Sequence, residues 1–74
     1  MKIEIEYWGM WNYQPNAASL AAELKESFNV DSELNAGSGG VFIVTVDGKV
    51  TYDKKETGQF PTKGEVTQII TSST

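Results

Sequence analysis

Lys2-Ile3-Glu4-Ile5-Glu6-Tyr7-Trp8-Gly9-Met10-Trp11-Asn12-Tyr13-Gln14-Pro15-Asn16-Ala17 carries the decision about the fold, because it passes from strand to helix with only a short loop between. Ile3, Ile5 and Tyr7 alternate with Lys2, Glu4 and Glu6, the period of two that puts one strand face in a core and the other in water. Trp8 to Gln14 reads as an aromatic-rich loop, and Pro15 suits the first turn of a helix, where its missing amide hydrogen is not needed. Onward from there Ala17, Leu20, Ala21, Leu24 and Phe28 share one helical face while Glu23, Lys25 and Glu26 lie elsewhere. Asn29 is placed to close this helix.

Further along, Val30 to Leu34 reads as a weaker strand, and Gly37-Ser38-Gly39-Gly40 as a bend with positive φ angles, too short to be a linker. Val41 to Val46 and Val50 to Lys54 flank Asp47-Gly48, a strong hairpin signal. A two-residue turn would leave Phe42, Val44 and Val46 on the outer face. A three-residue loop with Gly48 left-handed sets Phe42 opposite Tyr52 and Val44 opposite Val50, leaving Val41 and Ile43 outside, and is the register expected here. Asp53-Lys54-Lys55-Glu56 reads as a solvated strand end. Thr62 and Glu65 have capping-box spacing ahead of a short helix burying Val66, Ile69 and Ile70, after which Thr71-Ser72-Ser73-Thr74 frays. One domain over residues 1–74 follows, with no internal repeat. Its order is β-α-β-β-β-α: an α/β (α+β two-layer) sandwich in which a mixed four-stranded sheet carries both helices on one face, since the other face of the first strand is charged.

Composition removes several function classes. With no cysteine and no histidine among 74 residues, disulfides, the usual zinc sites, thiol nucleophiles and the neutral-pH proton shuttle are absent. A net charge of −4 with no basic run argues against nucleic acid. The alternating Lys2 to Glu6 segment is neither a signal peptide nor a membrane span, so a cytoplasmic location without membrane attachment is expected. No metal or other cofactor is expected.

The strand, then W-G-M-W-N-Y-x-P-x-A and an alanine-rich helix, then G-S-G-G-V-F, V-D-G-K, D-K-K and G-x-F-P, resembles the selenoprotein W/T/H (Rdx) family over nearly the whole chain. The matching residues are Trp8, Trp11, Asn12, Tyr13, Pro15, Ala17, Gly37 to Phe42, Val46 to Lys49, Asp53 to Lys55, Gly58, Phe60 and Pro61. The resemblance implies a minimal thioredoxin-like fold and an ancestral thiol or selenol oxidoreductase linked to glutathione or partner thiols. Trp8 and Trp11 stand where that family carries Cys and Cys or selenocysteine. Asn16, Gln59 and Ile43 also depart from its usual basic, Arg and acidic residues. A thiolate at a helix N-terminus is the nucleophile of such chemistry, and an indole supplies neither a nucleophile nor a leaving group.

The former redox positions therefore admit two readings. In the plainer one the indoles only cover the helix end and fill space once lined by sulfur. In the sharper one they are anchors of a binding surface made of Trp8, Gly9, Met10, Trp11, Tyr13, Gly39, Gly40 and Phe60. Trp11 is expected to pack over the helix start and Trp8 to be the more accessible. Glu4, Glu6 and Asp53 also admit a reading as an acidic catalytic or metal set, but nothing in the sequence desolvates them. Two functions stay open: a redox-inactive interaction module for a protein or small-molecule partner, or an Rdx oxidoreductase represented by a natural or engineered thiol-free variant. A monomer is expected, with weak self-association through Val41 and Ile43 if any.

Overall fold

The structure, a computed structural model, describes residues 1–11 and 13–73. Its elements run β1 (Ile3–Trp8), α1 (Tyr13–Phe28), β2 (Ser32–Gly37), β3 (Phe42–Val46), β4 (Lys49–Asp53), α2 (Lys54–Thr57) and α3 (Glu65–Ser73). The four strands lie in the order β2-β1-β3-β4, with β2 parallel to β1 and the other pairs antiparallel. This is the expected mixed sheet. Ile3 and Ile5 of β1, Phe42 and Val44 of β3 and Tyr52 of β4 turn to the same side as Ala17, Leu20 and Leu24 of α1 and Val66 and Ile70 of α3, and all are buried in one cluster. On the other side, Glu4 sits between Glu33 and Thr45, and Glu6 between Asn35 and Ile43.

Local chemistry explains the boundaries. α1 begins at Tyr13, which places Pro15 in its first turn. It ends where Asn29 adopts a left-handed φ of 57° and its amide donates to the Lys25 carbonyl at 2.8 Å, the role of an αL cap. β2 begins later than expected, at Ser32 rather than Val30, and runs on to Gly37. It is an edge strand whose residues are mostly exposed, so its hydrophobic signal is thin.

The hairpin differs from the expected register in an instructive way. Asp47 and Gly48 both have positive φ, 52° and 81°, and form a two-residue loop with Val46 opposite Lys49 and Thr45 opposite Val50. Continued unchanged, that register would strand Phe42 and Val44 away from Tyr52. An irregularity past Val50 skips Thr51 and sets Val44 opposite Tyr52. One extra residue restores the core face, and Val50 is left 57% exposed. The left-handed Asp47 is anchored: its amide donates to the Lys2 carbonyl and its carboxylate accepts from the Lys2 amide, each at 2.8 Å.

Two more expectations are corrected. Asp53 to Glu56 is not a loose strand end. Asp53 caps α2 by accepting from the Lys55 amide at 2.9 Å, and Gly58 closes that turn at a φ of 81°. The tail does not fray at Thr71, because α3 continues to Ser73; Thr74 lies outside the described residues. The capping box at its start is half-formed: the Glu65 carboxylate accepts from the Thr62 amide at 2.9 Å and also from the Thr62 hydroxyl at 3.3 Å. Val66 and Ile70 are buried as expected, while Ile69 is only partly so.

Glu23 of α1 is not simply solvated. Its carboxylate accepts from the Gly64 amide at 3.1 Å and the Thr67 hydroxyl at 2.8 Å, tying α1 to the start of α3. Glu23→Ala is expected to cost about 1–2 kcal/mol, since hydrogen bonds to a charged group are the stronger ones. Glu23→Gln, which keeps an acceptor, should cost less than half of that. Urea melts of the two variants check the ranking, and a Glu23→Ala variant as stable as wild type would show that the contact contributes nothing.

Candidate interaction surface

The ends of β1 and β3, the start of α1 and the segment after α2 converge at one pole. β1 reaches it through one further ladder bond, from the Trp8 amide to the Val41 carbonyl at 2.8 Å. Trp8 meets Tyr13 edge to face at a centroid distance of 5.4 Å, Tyr13 meets Phe60 at 4.9 Å, and Phe60 meets the buried Phe42 at 5.2 Å. Four rings thus connect the surface to the core. Each such contact contributes about 0.5–1.5 kcal/mol beyond its buried area. Phe60 is brought into this series by Tyr52, whose hydroxyl donates to the Gln59 carbonyl at 2.8 Å.

The two indoles part company. Trp8 is half-buried against Tyr13, whereas Trp11 is 81% exposed and Met10 beside it 59% exposed. This reverses the expected assignment. Trp11 sits at a φ of 61°, a left-handed conformation uncommon for a bulky residue, and its side chain stands in solvent rather than packed over the helix start. Asn12, named in the sequence motif, lies outside the described residues.

The glycine-rich bend completes the pole. Gly39 and Gly40 have φ of 70° and 76°, as a tight turn requires. A β-carbon at Gly40 would lie 3.7 Å from the Tyr13 hydroxyl, and one at Gly39 would lie 3.9 Å from the Lys55 ammonium. Of the expected surface, Trp8, Tyr13, Gly40 and Phe60 are joined directly or through a shared ring, and Met10 and Trp11 project from the adjoining loop. Gly9 belongs to that loop and faces the edge strand, a β-carbon there standing 4.0 Å from that of Ala36.

Sequence reasoning missed two residues. The Lys54 ammonium lies over the Tyr13 ring at 5.5 Å and the Phe60 ring at 5.2 Å, a cation–π arrangement, and Lys55 borders Gly39. The D-K-K stretch was the available signal, but only the turn of α2 reveals that it folds back on the aromatics.

The surface grooves among the described residues lie away from this pole. One of about 380 Å³ runs between α1 and the Pro61-Thr62-Lys63 segment, and one of about 320 Å³ lies between β4 and α3. Among the described residues no group of three or more acidic, histidine or cysteine side chains is arranged to hold a metal ion. No described helix is long and apolar enough to cross a membrane.

A mixed four-stranded sheet with its strand-to-helix loop at this pole defines a thioredoxin-like domain with tryptophans at its redox positions. The chain belongs to the Rdx family, which it matches over residues 2–72. It superposes on a selenoprotein W-related protein from Vibrio cholerae with a TM-score of 0.88 at 27% identity, covering 96% of this chain and 92% of that one. A protein from Bordetella parapertussis gives a TM-score of 0.90 at 28% identity, over 99% and 96% of the two chains. A curated relative, migration and invasion enhancer 1 of Bos taurus, is 25% identical over 71 residues, and the match takes in 95% of this chain but only 62% of that protein.

Proposed function

We propose that this chain is a redox-inactive interaction module that binds a partner through the former redox pole. The observation that carries the reading is Trp11, held out of the fold in a left-handed backbone at one of the two positions where the family resemblance puts a sulfur or selenium nucleophile. An aromatic that only fills space would be driven inward by the hydrophobic effect. Large exposed rings beside a flexible methionine are instead the usual anchors of recognition surfaces. The half-buried Trp8 anchors the start of that loop to α1 by its edge-to-face contact with Tyr13. Thiol–disulfide exchange is not available to the chain, because it has no cysteine.

The test is site-specific photocrosslinking in cells, with a photoreactive phenylalanine analogue at Trp11 and, as a control, at the exposed Ser27 on α1. A discrete adduct from position 11 alone, lost in a Met10→Asp background, is expected. Equal labelling from both positions would refute the module. The purified protein should also reduce insulin disulfides no faster than buffer, and turnover above that rate would restore an oxidoreductase reading.

A further inference from the structure

Resting on that reading of the pole, we infer that its partner is an acidic peptide segment with an apolar anchor. Charge is unevenly distributed in this chain. Acids outnumber lysines ten to six, yet four of the acids share the face of the sheet opposite the core cluster, Glu4 paired with Glu33 and Glu6 and Asp53 on either side of Ile43. The pole receives the opposite charge. Lys54 is held above Tyr13 and Phe60 and Lys55 is held beside Gly39. The ion pair between described residues joins Lys25 to Asp31 at 3.3 Å, and Lys54 and Lys55 form none. Of the two acids that flank them in the chain, Asp53 directs its carboxylate at the Lys55 amide as the cap of α2, and Glu56, in the same turn, forms no ion pair with either ammonium.

Two ammonium groups without a carboxylate partner therefore lie at the pole, over Tyr13 and Phe60 and beside Gly39, and the loop at that pole exposes Met10 and Trp11. A ligand complementary to both features carries carboxylates a few residues from a leucine or an aromatic ring. The net charge of −4 disfavours long polyanions such as nucleic acid, whereas a short acidic segment engages the pole locally, within a Debye length of about 8–10 Å. Gly39 and Gly40 leave room for its backbone, since a β-carbon at either meets nothing closer than 3.7 Å.

The experiment titrates the intact protein by tryptophan emission with three short peptides sharing one leucine and phenylalanine pattern and carrying glutamate, glutamine or lysine between. The glutamate peptide should bind at least five-fold more tightly than the glutamine peptide, lose most of that margin in high salt, and lose it in Lys54→Gln/Lys55→Gln. Lys54→Arg/Lys55→Arg should retain it, which separates charge from any fold defect; circular dichroism melts check that each variant is folded. Equal binding of the glutamate and glutamine peptides, weakened by Trp11→Ala, would overturn the acidic partner and leave the pole a binding surface. Binding that Trp11→Ala does not weaken would remove the pole itself. Tighter binding of the lysine peptide, a cation displacing Lys54 from its rings, would overturn the inference, as would binding by none of the three.

Discussion

Phe42→Ala is expected to leave the protein largely unfolded at room temperature. Phe42 is 0% exposed, lies opposite Tyr7 across the β1–β3 ladder, and receives the edge of Phe60 at 5.2 Å. Removing a buried phenylalanine ring costs about 3–5 kcal/mol through lost burial and the cavity left behind. A core of this size rarely supplies more than about 3–5 kcal/mol in total, so the loss is comparable with the whole stability. The damage should also reach the pole, because Phe60, Tyr13 and Trp8 are stacked outward from Phe42 in turn. Phe42→Leu keeps most of the volume and should remain folded, with a loss near 1 kcal/mol. Near-ultraviolet circular dichroism and urea melts give the comparison. A folded Phe42→Ala with its aromatic signal intact would show that the ring series is not what supports the site.

The residues of strongest period were the ones whose place the sequence disclosed. Ile3 and Ile5, and Ala17, Leu20 and Leu24, repeat at two and at three to four residues, and each lands in the core. Family motifs then located the pole, because Gly39, Gly40, Phe60 and Tyr13 are far apart in the chain and only a known topology brings them together. What stayed hidden depended on single backbone choices. The skipped residue at Thr51 repairs a register that two-residue turn chemistry alone would have misaligned, and no side-chain pattern announces it. The one-turn α2 depends on Asp53 as cap and Gly58 as stop; without it Lys54 and Lys55 read as solvated charges. The exchange of roles between Trp8 and Trp11 accompanies one positive φ angle, which residue type does not forecast, since tryptophan rarely adopts it.

That exchange gives the second large effect: Trp8→Ala should destabilise the protein by about 2 kcal/mol while Trp11→Ala stays within about 0.5 kcal/mol of wild type. Trp8 loses a half-buried indole and its edge-to-face contact with Tyr13, worth about 0.5–1.5 kcal/mol by itself. Trp11, four-fifths exposed, has little burial to lose. Its left-handed backbone is unfavourable for alanine as much as for tryptophan, so that cost cancels between the two. Trp11→Gly removes the steric cost of about 1–2 kcal/mol but gives back about 0.5–1 kcal/mol as glycine's greater freedom when unfolded, and should be neutral to slightly stabilising. Emission separates the rings directly. Trp11→Ala should leave a blue-shifted spectrum from Trp8 that acrylamide quenches weakly, and Trp8→Ala a red-shifted one from Trp11 that it quenches strongly. Two strongly destabilised alanine variants with equally protected emission would make both indoles core fillers, and the surface would then have no exposed aromatic anchor with which to hold a partner.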